Sequence, residues 1–241
     1  MTKTYDSTVS AVQQSGQLQI TPLSKTGEHW GGYVSVQKWN LTGARATVQL
    51  VQATSSTTHA ETNFTLSIDA NNWYRFKVEN GTLYFYQDVG GNKTEVTVPY
   101  DPTQHKWLRL RHDSLDRIIW ETSADGINWT ARRTQQRALS ITALNIELQA
   151  GTYQSEKSPG KAIFDNFTLE TNPASTSSLN FIMSDSLTDT LLAILAYDTG
   201  FGDDKNLEDS MRGRTNRLPG QLNKSSTWLE GFSFERVDGY G

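Results

Sequence analysis

Cysteine is absent from the 241 residues, which excludes a disulfide framework and a thiolate metal site. Long apolar runs are absent too. No stretch approaches the roughly 18 consecutive apolar residues of a membrane-spanning helix, so we expect no membrane insertion. Segment 1–7 lacks the apolar core of a secretory signal, and we expect no signal peptide. The formal net charge is only −4 and basic residues are scattered, which argues against a nucleic-acid partner.

Short runs of alternating apolar and polar residues dominate the chain up to residue 170. Gly, Asn and Asp separate these runs, and the pair Asn80-Gly81 is typical of a type I′ hairpin. Many short, regularly spaced strands favour a β-sandwich or a barrel over a parallel sheet. We therefore predict one all-β domain over residues 1–170.

The composition changes at residues 171–178, a linker rich in small residues. In residues 179–241 the apolar period becomes helical. One stripe of that segment comprises Leu187, Leu191, Ile194 and Leu195. Such a segment has too few apolar positions to be stable alone. We expect it to be a partly helical assembly segment that packs on the sandwich, on a sister copy in a homo-oligomer, or on another protein.

Several strands carry aromatic and charged residues on the side that the core does not use. Trp107, Arg109 and Arg111 share one face, opposite Leu108 and Leu110. The same pattern recurs in three other runs: Trp73, Arg75 and Lys77; Tyr84 and Tyr86; Asn145, Glu147 and Gln149. Aromatic rings stack on the C–H faces of sugars while polar groups hydrogen-bond their hydroxyls, so the pattern indicates carbohydrate binding.

The candidate carbohydrate-binding residues are Trp73, Arg75, Tyr84, Tyr86, Trp107, Arg109, Arg111 and Glu147. The alternative interpretation is that they form cross-strand pairs on a solvated sheet, with Arg109 and Arg111 in ion pairs with Glu121. Two further tryptophans, Trp120 and Trp129, are assigned to the core. Trp120 lies on the same strand face as a neighbouring apolar residue, and Trp129 closes a hairpin.

Two segments carry a family resemblance. Residues 107–130 contain a Trp-Leu-Arg-Leu-Arg strand and a Glu-Thr-Ser-Ala-Asp-Gly hairpin that ends in Trp-Thr, and residues 162–169 contain Phe-Asp-Asn-Phe. This pattern resembles the concanavalin A-like, laminin G-type jelly rolls found in bacterial surface proteins and phage tail proteins. The resemblance implies a jelly-roll β-sandwich. Residues 186–211 are also loosely similar to short helical repeats at the ends of some phage minor tail proteins.

Catalysis in this fold family would need two carboxylates about 5–10 Å apart. Its laminarinase-like members carry Glu-x-Asp-x-x-Glu on one strand, whereas no Glu in this sequence has an Asp two residues later. Glu121 and Glu147 lie on separate strands and would have to converge in space. We expect a protein that is not an enzyme, and glycan degradation is the third hypothesis.

Asp165 falls on the predicted face of Ile163 and Phe167, where an unpaired carboxylate would be costly to bury. It therefore needs an Arg, several backbone N–H groups or a cation. The resemblance implies a structural Ca²⁺ near the final strand, and Asp165 is the candidate ligand for it.

These observations favour a non-catalytic, virion-associated protein whose lectin-like domain binds a cell-surface glycan and recognises the host. Residues 179–241 would bind other virion proteins or sister subunits. The expected absence of a secretory signal agrees with assembly in a host cytoplasm, and it agrees equally with an ordinary cytosolic protein. The alternative is a structural or decoration protein of the virion without sugar specificity, which a flat outer face without a groove would favour.

Overall fold

The computed structural model describes residues 6–170 and, for the backbone only, the segments 178–180 and 234–236. Thirteen strands form between residues 10 and 170. Among the described residues, no helix is long and apolar enough to cross a membrane. The strands are β1 (Ser10–Gln14), β2 (Gln17–Thr21), β3 (His29–Ser35), β4 (Arg45–Gln52), β5 (Glu61–Asp69), β6 (Asn72–Glu79), β7 (Thr82–Val89), β8 (Asn92–Pro99), β9 (Trp107–His112), β10 (Arg117–Ser123), β11 (Thr130–Gln136), β12 (Asn145–Thr152) and β13 (Ala162–Glu170).

The strands form two antiparallel sheets around one hydrophobic core. The first sheet has the order β1-β2-β13-β4-β9-β10-β11, and the second has the order β3-β12-β5-β6-β7-β8. Each sheet mixes strands from distant parts of the chain, as a jelly roll requires. The predicted jelly-roll β-sandwich is confirmed.

The second sheet contains a four-strand meander from β5 to β8, built on short turns. Between β6 and β7 the turn consists of Asn80, with φ of 45°, and Gly81, with φ of 69°. Both values are positive, as a type I′ turn requires, and this confirms the hairpin predicted from the sequence.

Large aromatic side chains join the two sheets across the core. Trp120 of the first sheet is fully buried, and its ring meets Tyr74 of the second sheet edge to face at 5.7 Å between centroids. The Trp120 indole N–H also donates to the carbonyl of Arg75 at 3.0 Å. The core position predicted for Trp120 is therefore confirmed, and this residue fixes one sheet against the other.

The last long strand, β13, contains a bulge between Asp165 and Thr168, with Asn166 at φ of 46°. The bulge interrupts the alternation, so that Phe164 and Phe167 both point into the core. Asp165 lies outside the core and is only half-buried. Its predicted placement on the face of Phe167 is therefore wrong, because period-2 alternation does not continue through a bulge.

Two backbone segments beyond residue 170 extend the sheets. Residues Ser178–Asn180 form β14, which pairs with β13, and residues Phe234–Arg236 form β15, which pairs with β3. The apolar stripe predicted for assembly, comprising Leu187, Leu191, Ile194 and Leu195, lies outside the described residues.

Candidate functional site

The outer face of the second sheet brings polar and aromatic residues from five strands into register. One row runs from Glu147 on β12 through Thr65 on β5 and Arg75 on β6 to Tyr86 on β7. The neighbouring row contains Tyr84, opposite Lys77. Five of the sequence-predicted residues therefore lie on one surface, namely Trp73, Arg75, Tyr84, Tyr86 and Glu147.

An open cavity of about 1050 Å³ lies on this face, and we call it the sheet cavity. Four of those five residues line it: Trp73, Arg75, Tyr86 and Glu147. Further lining residues, which are not among the eight candidate binding residues, include Glu28, Glu61, Lys77, Asp88, Lys93, Asn145, Gln149 and Tyr153. A cavity of this size can bury a small ligand against several strands at once.

Trp73 supports this surface from below rather than projecting into solvent. It is 4% exposed, and its indole N–H donates to the carbonyl of Ala70 at 3.1 Å. The guanidinium carbon of Arg75 lies 4.0 Å from the ring centroid, and Tyr86 meets the ring edge to face at 5.0 Å. Because Arg75 covers the ring, the partly exposed Tyr86 is better placed than Trp73 to contact a ligand.

Lys77 forms the centre of a buried ion cluster at the other end of the cavity. Its ammonium lies 2.7 Å from Glu79, 3.6 Å from Glu61 and 4.1 Å from the ring centroid of Tyr84. Burial opposes the charge of Lys77, but Glu61 and Glu79 outweigh that effect and its pKa is raised. Lys77 is therefore charged and is neutralised by carboxylates of the protein.

Glu147 is held in place by its neighbours on the same face. One carboxylate oxygen accepts from the Ser67 hydroxyl, and the other accepts from the Gln149 amide. Ser67 belongs to β5, whereas Gln149 lies two residues along β12 and so points the same way. Hydrogen bonds of this kind fix the direction of the carboxylate before any ligand binds.

Tyr153 lies just beyond β12 and is the most exposed aromatic ring of the cavity lining, at 44%. Its ring meets that of Trp30 edge to face at 4.9 Å, and Trp30 lies over Gly151, where a Cβ would come within 2.7 Å of the indole. Partial burial and the charge of Glu61 raise the pKa of Tyr153 to about 12, so the hydroxyl is neutral.

Sequence reasoning missed Tyr153 and Asp88, although a usable signal existed for each. The odd-numbered residues of β12 share one face, and Tyr153 is the next odd-numbered residue after the strand ends. On β7, Asp88 is the next residue on the face that carries Tyr84 and Tyr86. Extending each alternation to the end of its run would have placed both residues on this face.

The first sheet carries the remaining predicted residues, Trp107, Arg109 and Arg111, on its own outer face. This face is turned away from the second sheet, because Leu108 and Leu110 fill the core side of the same strand. The structure therefore divides the eight candidate residues between opposite surfaces, and a single ligand cannot contact both sets.

The cluster on the first sheet is internally paired. Glu121, which is 5% exposed, accepts a hydrogen bond from the Arg109 guanidinium at 2.6 Å and forms an ion pair with the Arg111 guanidinium at 3.1 Å. Burial lowers the pKa of Arg109 and the Glu121 carboxylate acts in the opposite direction. The ion pairs expected with Glu121 are thus present, as the structural alternative requires.

Trp129 belongs to this surface, so its predicted place in the core is wrong. The ring is half-buried and lies 3.8 Å below the guanidinium carbon of Arg109, while its N–H donates to the Gly126 carbonyl at 3.1 Å. The turn between β10 and β11 holds it there, since Asp125 accepts from the backbone N–H groups of Ile127 at 2.9 Å and Asn128 at 2.8 Å.

The two carboxylates considered for catalysis do not converge. Glu121 lies on the outer face of the first sheet and Glu147 on the outer face of the second, with the hydrophobic core between them. This arrangement excludes Glu121 and Glu147 as an acid–base pair for glycan hydrolysis, which needs both on one substrate.

The hydrogen-bond donors around Asp165 differ from those expected for a buried carboxylate. It accepts from the side-chain amide of Gln17 at 3.2 Å and from the backbone N–H of Asn166 at 2.7 Å. Among the described residues no group of three or more His, Asp or Glu side chains could hold a metal ion. Calcium at Asp165 stays a prediction, without the burial argument that first favoured it.

The fold and the cavity together define a jelly-roll β-sandwich with a polar and aromatic cavity on the outer face of one sheet. Neither a protein-family model nor a curated protein matches the sequence. Solved structures match the fold. The CBM2 module of the evolved Dit protein of Lactobacillus casei BL23 phage J-1 has a TM-score of 0.50 and 7% identity, covering 68% of this chain and 81% of that one.

Two further solved structures match this chain at a lower level of similarity. The carbohydrate binding module CBM66 from Bacillus subtilis is 13% identical with a TM-score of 0.40, and the match covers 71% of this chain and 97% of that one. A native glycosidic hydrolase is 10% identical with a TM-score of 0.45, covering 68% and 81%.

Proposed function

We propose that this chain is a non-catalytic protein that binds carbohydrate in the sheet cavity. The observation that carries the proposal is the combination of rings and polar groups around one open cavity of about 1050 Å³. Tyr86 and Tyr153 offer partly exposed rings, and Asn145, Glu147 and Gln149 offer amide and carboxylate groups on the neighbouring strand. Sugars present C–H faces to such rings and hydroxyls to such polar groups.

The presence of a cavity also favours this proposal over the purely structural alternative. A flat outer face would favour a decoration protein, whereas the second sheet has a recess lined by both strand and loop residues. On the first sheet, in contrast, the arginines are already in ion pairs with a carboxylate of the protein. We therefore assign a structural role to Trp107, Arg109 and Arg111.

The non-catalytic part of the proposal is supported by the separation of Glu121 from Glu147. Three carboxylates of the sheet cavity are already engaged by the protein: Glu61 and Glu79 lie beside the Lys77 ammonium, and Glu147 accepts from Ser67 and Gln149. A bound polysaccharide should therefore stay intact. Release of reducing ends by the wild-type chain would contradict this part and would make the cavity carboxylates the first candidates for an enzyme.

We place the protein on a virion, where it would recognise a host surface. Two observations support this setting: the sequence resemblance to domains of phage tail proteins, and the fold shared with a module of a phage Dit protein. In this proposal residues 179–241 contact other virion proteins or sister subunits. Replacing Leu191 and Leu195 with Asp should prevent incorporation into particles, and unchanged incorporation would refute that role.

The binding proposal is tested with the full chain on a broad glycan array and on cell-wall fractions. Tyr153→Ala should weaken binding about tenfold or more, equivalent to about 1.4 kcal/mol, because it removes the exposed ring from the cavity. Trp107→Ala is the matched aromatic control on the first sheet and should leave binding unchanged. Melting curves of each variant separate lost binding from lost folding.

The possible outcomes distinguish the hypotheses. Loss of binding with Trp107→Ala but not with Tyr153→Ala would move the site to the first sheet. Folded protein that binds no sample would favour the structural virion role. Repeating the assay with EDTA tests the calcium prediction, because a Ca²⁺-dependent site would lose affinity.

A further inference from the structure

The sheet cavity has an excess of negative charge in its lining. Six carboxylates line it, against three cations. The carboxylates are Glu28, Glu61, Asp69, Glu79, Asp88 and Glu147, and the cations are Arg75, Lys77 and Lys93. Walls of one predominant sign raise the local concentration of ligands of the opposite sign. An acidic lining alone does not define a ligand, so the individual groups matter.

Two of the three cations are already engaged by the protein. Lys77 lies between Glu61 and Glu79, as described above. Arg75 is 5% exposed, donates to the Thr65 hydroxyl at 2.8 Å and covers the ring of Trp73. These two side chains are therefore poorly placed to bind an anionic ligand.

Asp88 supplies the second observation. It is 1% exposed, it lines the cavity, and its Oδ1 atom has no hydrogen-bond donor among the described residues. Its backbone neighbours across the sheet are Trp73 and Lys93, and neither satisfies that atom. A buried acceptor without a donor is destabilising by about 1–3 kcal/mol, so a ligand that brings an N–H or O–H group to Oδ1 would gain from satisfying it.

A protonated amine fits both observations better than any other common sugar substituent. It carries the positive charge that the lining favours, and it has three donors but no acceptor, as Oδ1 requires. An acetamido or hydroxyl group brings donors without charge. A carboxylate or a phosphate brings charge of the wrong sign.

We propose that the sheet cavity selects a glycan with free amino groups, and that Asp88 is the residue that receives the amine. This inference rests on the proposed function, since it names the class of carbohydrate that the same cavity takes. The expected order of affinity is amino sugar, then neutral sugar, then acidic sugar.

Three hexasaccharides test this order by calorimetry with the full chain: a glucosamine hexamer, its fully N-acetylated counterpart and a galacturonate hexamer. At mildly acidic pH, where the amine is protonated, the glucosamine hexamer should bind at least about tenfold more tightly than the acetylated one. Raising the salt from about 0.05 M to about 0.5 M should weaken that binding and leave the acetylated hexamer unaffected, since salt screens only the charged ligand.

Asp88→Asn tests the assigned residue and should reduce the preference for the amine about tenfold. Glu95→Gln is the matched control, because it removes the same charge from an exposed position on the adjacent β8 that does not line the cavity. If Asp88→Asn does not fold, the salt dependence of the wild-type chain decides the question. Equal affinities, or a preference for galacturonate, would overturn this inference alone, whereas binding of no glycan by folded protein would overturn the proposed function as well.

Discussion

The outer faces of the two sheets are built from the same kinds of residue but differ in how completely they satisfy one another. On the first sheet, Glu121 forms ion pairs with both neighbouring arginines and the ring of Trp129 lies under Arg109. On the second sheet, an open cavity remains and Asp88 retains a buried acceptor that meets no donor within the part of the chain that the structure describes. Aromatic, cationic and acidic residues on one strand face therefore do not indicate a binding site by themselves. What distinguishes a site is the set of hydrogen-bonding groups that still lack a partner after the protein has paired its own polar side chains.

Glu121→Gln should produce the largest effect on stability. The variant leaves Arg109 and Arg111 facing a neutral amide in a largely buried setting, and we expect a loss of about 3 kcal/mol in the free energy of unfolding. Urea unfolding followed by tryptophan fluorescence measures this loss. Glycan binding of the remaining folded protein should be unchanged.

The control for that prediction is Glu95→Gln, an equal change of charge at an exposed position, which should stay within about 0.5 kcal/mol of wild type. If Glu121→Gln were as stable as this control, the first face would not be held together by its ion pairs. The contrast between the two faces would then lose its basis.

Gly151→Ala should have the next largest effect, and it should act on binding as well. A Cβ at this position would lie 2.3 Å from the His29 carbonyl and 2.7 Å from the Trp30 ring, so Trp30 and the adjoining Tyr153 must move. We expect a loss of about 2 kcal/mol in stability and weaker glycan binding.

Gly126→Ala is the counterpart on the first sheet. Its φ of 75° disfavours alanine, and the new Cβ would lie 3.0 Å from the Trp107 ring. Stability should fall, yet glycan binding should persist in the folded protein. Equal losses of binding in both glycine variants would mean that the two faces are not independent.

Trp129→Leu should have a smaller effect. It removes the contact with the Arg109 guanidinium, and an aromatic–cation contact at a partly exposed site contributes about 1 kcal/mol. The equivalent change at Trp73, where both the ring and Arg75 are at most 5% exposed, should cost clearly more. Paired unfolding curves of the two variants test that ranking, and equal values would contradict it.

The smallest effect concerns the pH dependence of the turn between β9 and β10. Hydrogen bonds from Arg137, then from His112, hold the pKa of Asp116 at about 2, below its ordinary value of 3.8. Because the folded-state pKa is lowered, the contribution of Asp116 to stability is present above about pH 4 and is lost as the pH falls towards 2.

The check is a carboxyl titration by NMR together with melting temperatures of wild type and Asp116→Asn. Asparagine tolerates the φ of 58° at this position, so the variant isolates the charge. The difference in melting temperature should shrink between pH 4 and pH 2. A constant difference would show that the ion pairs of Asp116 do not respond to its titration.

Local alternation was sufficient to predict the all-β class of the domain and the core-facing side of strand β9. It placed Leu108 and Leu110 inside and Trp107 outside, as observed. The alternation pattern could not assign strands to sheets. Long-range pairing between strands decides that β6 and β9 belong to different sheets, and the local pattern of each strand does not record it. Trp73 and Trp107 looked equivalent for that reason, although they lie on opposite surfaces.

The errors at Asp165 and Trp129 have local causes that the alternation pattern does not contain. A bulge with Asn166 in the left-handed region shifts the phase of β13. The Asp125 turn folds Trp129 back over the first sheet. The sheet cavity, in turn, depends on how six strands align, and no single stretch of sequence encodes that alignment.

The bond from the Trp120 indole to the Arg75 carbonyl has a consequence for how the cavity would engage a ligand. It joins the first sheet to the backbone directly beneath the cavity floor, in the interior strand β6. The floor is therefore preorganised: little conformational entropy remains to be lost when a sugar arrives, and a modest number of contacts can yield useful affinity. Adaptation to different glycans then falls to side chains at the rim, of which Tyr153 is the most exposed ring.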